Sequence, residues 1–221
     1  DSDFTNAVAL GDVDGDNDLD IAVANQNQAN RIYLNDNEGK FTDSDQALGD
    51  NNSQFIVLGD VDNDGDLDIV TANQNQANRV YLNDGSGDFS DSGLALSDNN
   101  SYSVALGDID DDNDLDMAVA NQNQANLIYL NDGLGNFSDS SQSLGDNDSR
   151  SLVFADIDND TDLDIIVANQ SQGNRVYFND GIGNFSDSGQ SLGTNDSNAI
   201  VAGDVDNDAD LDLVVANLSQ G

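Results

Sequence analysis

The chain has 221 residues, 37% of them hydrophobic, enough apolar material for a packed core. Its formal charge is −39, from 44 acids against five Lys plus Arg, a field that repels nucleic acid and anionic membrane surfaces and argues against both as partners. With no Cys and no His, disulfides, thiolate or imidazole metal ligands, thiol nucleophiles and histidine acid–base chemistry are excluded together.

Proline is absent and Gly, Asp, Asn and Ser are abundant, a composition of short strands and tight turns that predicts an all-β fold. No apolar stretch approaches the roughly 20 residues of a spanning helix, so no membrane insertion is expected. The first residues carry no signal-peptide pattern, and an exported form would be a mature segment. Glu38 is the sole glutamate. Aspartate alone points to short side chains chelating a hard cation rather than to a salt-adapted surface.

In chain order, a short apolar strand, Ala7–Leu10, leads into an acidic loop, and a second strand, Leu19–Ala24, is apolar on successive residues, as in a strand covered on both faces. An amide-rich loop at Gln26–Asn30 follows. The third strand, Arg31–Asn35, alternates so that Ile32 and Leu34 should face inward and Tyr33 outward. A turn, NDNEGKF, then anchors a polar fourth strand through Phe41. Asp12, Asp60, Asp108, Asp156 and Asp204 place this whole pattern on an interval of 48. The later copies repeat the amide loops at Gln74–Asn78, Gln122–Asn126 and Gln170–Asn174 and the aromatic anchors at Phe89, Phe137 and Phe185.

Apolar inner strands and a polar outer one, repeated radially, predict β-propeller blades of four antiparallel strands; solenoid coils repeat at about half that length or less. The expected organisation is one repeat domain, 1–221, with units near 1–48, 49–96, 97–144, 145–192 and an incomplete 193–221, about four and a half blades. Two accounts of the half blade stand open. The chain is a window of a longer array, or a neighbouring chain completes the edge by β-augmentation, a form of self-association.

In the first loop Asp12, Asp14, Asp16 and Asp20 hold positions one, three, five and nine, with Asp18 at seven offering its carbonyl. Ca²⁺ takes six to eight hard oxygens, and alternate residues of a curled loop can aim carboxylates at one centre; Mg²⁺ fits so crowded a cage poorly. The same register gives Asp60, Asp62, Asp64, Asp66 and Asp68; Asp108, Asp110, Asp112, Asp114 and Asp116; Asp156, Asp158, Asp160, Asp162 and Asp164; and Asp204, Asp206, Asp208, Asp210 and Asp212. About five calcium ions are expected. An EF-hand is ruled out, since its loop closes with Glu at position twelve between helices.

GDVDNDGDLDIVTAN followed by NRVYLNDGSGDF resembles the FG-GAP or VCBS repeat of integrin alpha-subunit propellers and many bacterial surface proteins. The resemblance covers nearly the whole chain and implies a propeller with calcium in the hairpin loop between the first two strands of each blade. Position six, often Gly in that family, is Gly65 here but Asn17, Asn113, Thr161 and Ala209 in the other loops, which implies weaker binding at those four. Complete integrin-like propellers have seven blades, more than this chain supplies.

The Asn-x-Ser triplets at Asn51, Asn99, Asn147 and Asn195, with others at Asn136, Asn169, Asn184 and Asn217, are possible glycosylation sites or simply turn chemistry. The amide loops, with Tyr33, Tyr81, Tyr129 and Tyr177 near them, could bind sugars or satisfy their own backbone. Arg31, Arg79 and Arg175 are expected to pair with neighbouring acids. The candidate catalytic acids all recur in register with the metal loops, and we find no residue that breaks repeat symmetry as a catalyst. The expected function is a non-enzymatic, secreted or cell-surface calcium-binding scaffold for adhesion or surface and filament assembly, with protein or glycan partners. A carbohydrate-binding propeller is the alternative, followed by a non-catalytic part of a polysaccharide-degrading enzyme.

Overall fold

The computed structural model describes residues 4–218, and none of those residues is helical. The first blade comprises β1 (Thr5–Gly11), β2 (Asp20–Asn25), β3 (Arg31–Leu34) and β4 (Thr42–Asp43). The second is β5 (Ser53–Gly59), β6 (Asp68–Asn73), β7 (Arg79–Asn83) and β8 (Phe89–Asp91). The third is β9 (Ser101–Gly107), β10 (Asp116–Asn121), β11 (Asn126–Leu130) and β12 (Ser138–Leu144). The fourth is β13 (Ser149–Ala155), β14 (Asp164–Asn169), β15 (Arg175–Asn179) and β16 (Phe185–Asp187), and β17 (Ser197–Gly203) and β18 (Asp212–Asn217) pair alone. Each sheet keeps chain order, because hairpins join strands that are neighbours in sequence. Among the described residues no helix is long and apolar enough to cross a membrane.

The register is the same from blade to blade: Gly11 opposes Asp20, Gly59 opposes Asp68, Ala155 opposes Asp164 and Gly203 opposes Asp212. The acidic loop is therefore the connection of the first hairpin. At the other end of that hairpin the register shifts between Ser53 and Phe55, and between the equivalent residues of β1, β13 and β17.

The chain forms two compact units, Asp1–Val104 with Asn131–Phe137, and Ala105–Leu130 with Ser138–Gly221. In the first, Val13, Ile32, Ile56, Ile69 and Tyr81 form the core; in the second, one cluster gathers around Ile109, Ile128 and Ile165 and another around Ile166, Val176 and Ile200. Strands β6, β10 and β14 are buried at every residue, as their unbroken apolar runs predict. The third strands depart from the expected alternation. Tyr81, Tyr129 and Tyr177 are buried at 2–4% exposure, while Leu34, Leu82 and Leu130 are only half-buried. A third strand covered on both faces has no solvent side to which a ring can turn. Phe137 is buried and Phe89 and Phe185 pack on their cores, whereas Phe41 is 42% exposed.

Candidate metal centres

The first three acidic loops are tethered by their second residue. Val13, Val61 and Ile109 are at most 2% exposed, a burial that favours the folded loop by about 1.5–3 kcal/mol each. Two backbone positions then curl the loop through the left-handed region: position four (Gly15, Asn63, Asp111, Asn159, Asn207) and position six (Asn17, Gly65, Asn113, Thr161, Ala209) all have φ between 60° and 97°.

The position-one carboxylate organises this curl by accepting backbone hydrogen bonds. Asp12 takes the amides of Gly15, Asp16 and Asn17 at 2.8–3.2 Å, and Asp108 takes those of Asp112 and Asn113 at 3.2 and 3.0 Å. The position-nine carboxylate closes it. Asp68, fully buried, accepts the Val61 amide on Oδ2 and the Asn83 amide on Oδ1 at 2.9 and 2.8 Å. Asp20 and Asp164 accept the equivalent pairs, from Val13 and Asn35 and from Ile157 and Asn179.

Positions one, three and nine converge. Oxygens of Asp12, Asp14 and Asp20, of Asp60, Asp62 and Asp68, of Asp108, Asp110 and Asp116, of Asp156, Asp158 and Asp164, and of Asp204, Asp206 and Asp212 lie within 4.8 Å of one another in each triad. Position five lies outside these triads: Asp16, Asp64, Asp112, Asp160 and Asp208 accept the backbone amide of position seven at 2.9–3.1 Å. The position-seven side chains also lie outside, and some face the outer turn of their own blade. A Cβ at Gly85 or Gly181 would collide with the carboxylate of Asp66 or Asp162. Asp18, 8% exposed, approaches the Asn37 amide without reaching hydrogen-bond geometry.

The donor set fits a hard cation. Asp14 Oδ1, Asp60 Oδ1 and Asp110 Oδ1 are buried inside their triads without a hydrogen-bond partner, and a carboxylate oxygen so placed needs either a proton or a cation. Burial first, and neighbouring aspartates second, hold Asp14, Asp62 and Asp110 above the ordinary carboxylate range. Asp68 is pushed up to about 6, by burial, against the lowering effect of its two amide partners.

The residues that sequence reasoning missed are neutral. Asn83, Asn131 and Asn179, 6–7% exposed, each donate from Nδ2 to the position-two carbonyl of the preceding blade's loop: Val13, Val61 and Ile109, at 2.7–2.8 Å. At the other end of the blades, Asn30 Nδ2 donates to Ser53 Oγ, Ser53 Oγ to Asn73 Oδ1, the Asn73 amide to Asn78 Oδ1, and Asn78 Nδ2 to Ser101 Oγ, all at 2.8–3.1 Å. Their recurrence every 48 residues was the available signal.

Ser53, Ser101, Ser149 and Ser197, the serines of the Asn-x-Ser triplets, are thus buried, while Asn51, Asn99, Asn147 and Asn195 are half-buried. Asn169 is fully buried, and Asn136 and Asn184 are exposed with Nδ2 donating to Asp132 and Asp180. In the amide loops, Gln76 Oε1 accepts the Asn52 backbone amide and Gln172 Oε1 that of Asp148. Arg79 and Arg175 approach Asp91 and Asp187 only at 4.0 and 3.9 Å and donate to the Leu94 and Gln190 carbonyls.

Blades of four antiparallel strands, each complete one carrying a carboxylate triad on its first hairpin, define a repeat protein of the β-propeller class. The chain belongs to the FG-GAP-like repeat family, whose model matches residues 12–71, 60–119, 108–167 and 156–215. Each match runs from one acidic loop into the second strand of the next blade. Among solved structures, BBS1N in complex with ARL6DN is similar in two crystals, soaked with lead (TM-score 0.65, 14% identity, 98% of this chain and 61% of that one) and with mercury (0.60, 15%, 90% and 57%). The V. cholerae biofilm matrix protein Bap1 is similar at TM-score 0.53 and 18% identity, over 96% of this chain and 35% of that one. These likenesses are of fold, and the chain spans 35–61% of those chains' length. No curated protein matches the chain.

Proposed function

We propose that the chain is a non-enzymatic, extracellular calcium-binding scaffold, an array of propeller blades serving adhesion or surface and filament assembly. The observation that carries this reading is the buried, partnerless oxygen inside the triads, at Asp14, Asp60 and Asp110. An all-oxygen donor set of short carboxylates suits Ca²⁺, with the position-seven carbonyl as a further ligand. Three or four carboxylates held together repel without metal, so calcium is structural, and millimolar calcium outside cells suits such sites. At a hundred times Kd each ion adds about 2.7 kcal/mol.

A protein partner is favoured by analogy with BBS1N in its complex, and an extracellular setting by analogy with a biofilm matrix protein. The lectin alternative is less favoured, because three of its four stacking rings, Tyr81, Tyr129 and Tyr177, are buried and only Tyr33 is half-buried. Thermal unfolding by circular dichroism, in millimolar calcium and then in excess chelator, tests the proposal. We expect the midpoint to fall by tens of degrees on chelation; an unchanged midpoint would return the loops to solvated turns.

A further inference from the structure

We infer that the first and second metal sites are coupled, as are the third and fourth, and that Asn83, with Asn179 in the same register, transmits the coupling. The inference rests on the calcium reading above and concerns the regulation of those same sites.

Asn83 stands at the end of β7 with its backbone N–H and both polar atoms of its side chain engaged. Its backbone N–H donates to Oδ1 of Asp68, a triad residue of its own blade, at 2.8 Å. Its Nδ2 donates to the Val13 carbonyl of the first blade's loop at 2.8 Å and to the Leu67 carbonyl at 3.1 Å. Its Oδ1 accepts the amides of Gly85 and Gly87 at 3.3 and 3.2 Å. Val13, in turn, donates its N–H to Oδ2 of Asp20, a triad residue of the first blade, at 2.9 Å. Two residues, Val13 and Asn83, therefore join the position-nine ligands of successive sites.

The same pieces recur. Asn131 holds the Val61 carbonyl and Val61 donates to Asp68; Asn179 holds the Ile109 carbonyl and donates its own N–H to Asp164, while Ile109 donates to Asp116. The turn behind each asparagine also packs on the neighbouring loop. A Cβ at Gly87, Gly135 or Gly183 would lie 3.3–3.5 Å from the Cβ of Asp14, Asp62 or Asp110, at or just inside van der Waals contact.

Without metal, the carboxylates of a triad repel and their loop gains freedom by opening, so binding must restore its order. A cation that fixes Asp68 also fixes the Asn83 amide, and with it the side chain that holds Val13. Loop one is then partly ordered before its own metal arrives, and its ion binds at a smaller ordering cost. Such coupling is positive, and it is reciprocal.

Site-resolved titration tests it. Gly15 and Gly65 are the only glycines within the five acidic loops, so the full chain labelled with ¹⁵N-glycine reports the first and second sites separately as calcium chloride is added. Asp62→Ala disables the second site without touching Val13, Asn83 or Asp68. We expect it to raise the Gly15 midpoint by about fivefold or more. In an Asn83→Ala background the same substitution should leave the Gly15 midpoint where it was. Asn83→Asp, which keeps the acceptor for the two glycine amides, replaces Asn83→Ala if that variant does not fold. An unmoved Gly15 midpoint in Asp62→Ala, with Asn83 intact and both amides responding to calcium in the parent, overturns the coupling and leaves the calcium sites standing. Failure of both amides to respond in the parent overturns the calcium reading itself.

Discussion

At one end of the second blade, Ser53 opposes Asn73, and both are fully buried in a run of amide and hydroxyl hydrogen bonds that reaches Asn30 before it and Ser101 after it. At the other end, Gly59 opposes Asp68, and the polar groups are carboxylates, with Asp60 Oδ1 lacking any partner. Both ends bury polar atoms between packed strands. The side chains of the amide end supply both donors and acceptors, whereas those of the aspartate end supply acceptors only and, on the calcium reading, call for something positive from outside. On the calcium reading, half of each blade is thus held by its own hydrogen bonds and half is conditional on a cation.

The largest way to break that contrast is Asp68→Ala. It strips a triad ligand and leaves the Val61 and Asn83 amides buried without their acceptor, so we expect a loss of about 3–5 kcal/mol by denaturant unfolding in calcium, and one ion fewer by equilibrium dialysis. Asp64→Ala, at an exposed position that caps only the Asp66 amide, should cost far less. The pH dependence sharpens the same point. Asp68 in the metal-free fold is raised from 3.8 to about 6, so the folded state binds its proton more tightly than the unfolded chain does. That contribution is fully present below about 3.8 and is lost as pH rises through about 6. In chelator the melting temperature should therefore be higher at pH 5 than at pH 7.5. In limiting calcium it should be lower, because protons compete with the ion.

The amide end gives the next smaller effect. Asn73→Ala removes acceptors and donors shared with Ser53, Ala77 and Thr71, and we expect about 1–3 kcal/mol of destabilisation per group left unsatisfied. The decisive feature is that this loss, read by the same denaturant curves, should be equal with calcium and with chelator. A loss that grew with calcium would join the two ends into one calcium-dependent body and remove the distinction.

How much of this was legible follows from the range of each interaction. Aspartates on alternate residues, repeated every 48, announce a cation loop because the whole arrangement is local, and the unbroken apolar run Ile69–Val70 announces a strand covered on both faces. The outward face that alternation predicts for Tyr33 does not extend to Tyr81, because alternation assumes one solvent face and the structure buries both faces of that strand. Asn83 was read as part of a turn because its decisive partner, the Val13 carbonyl, lies 70 residues away. Spacing alone also cannot show that Asp62 converges with Asp60 and Asp68 while Asp64 accepts the amide of Asp66.

The smallest effect compares two loops at one backbone position. Gly65 and Thr161 both sit at position six with φ of 97° and 83°. Glycine reaches that region freely, whereas a β-branched residue there is strained by about 1–2 kcal/mol. Open space surrounds Gly65, with nothing within 4 Å of a Cβ built there, so the cost is one of backbone conformation rather than collision. Loop four therefore carries strain that loop two does not, and on the calcium reading part of its ion's binding energy would go into holding that shape. Thr161→Gly should raise stability in calcium by about 1 kcal/mol, with Gly65→Ala lowering it by a similar amount. Because loop four has no glycine of its own, Thr161→Gly also introduces an amide that reports its occupancy in the ¹⁵N-glycine titration. A Thr161→Gly chain no more stable than the parent would show that the left-handed turn is not what separates strong loops from weak ones.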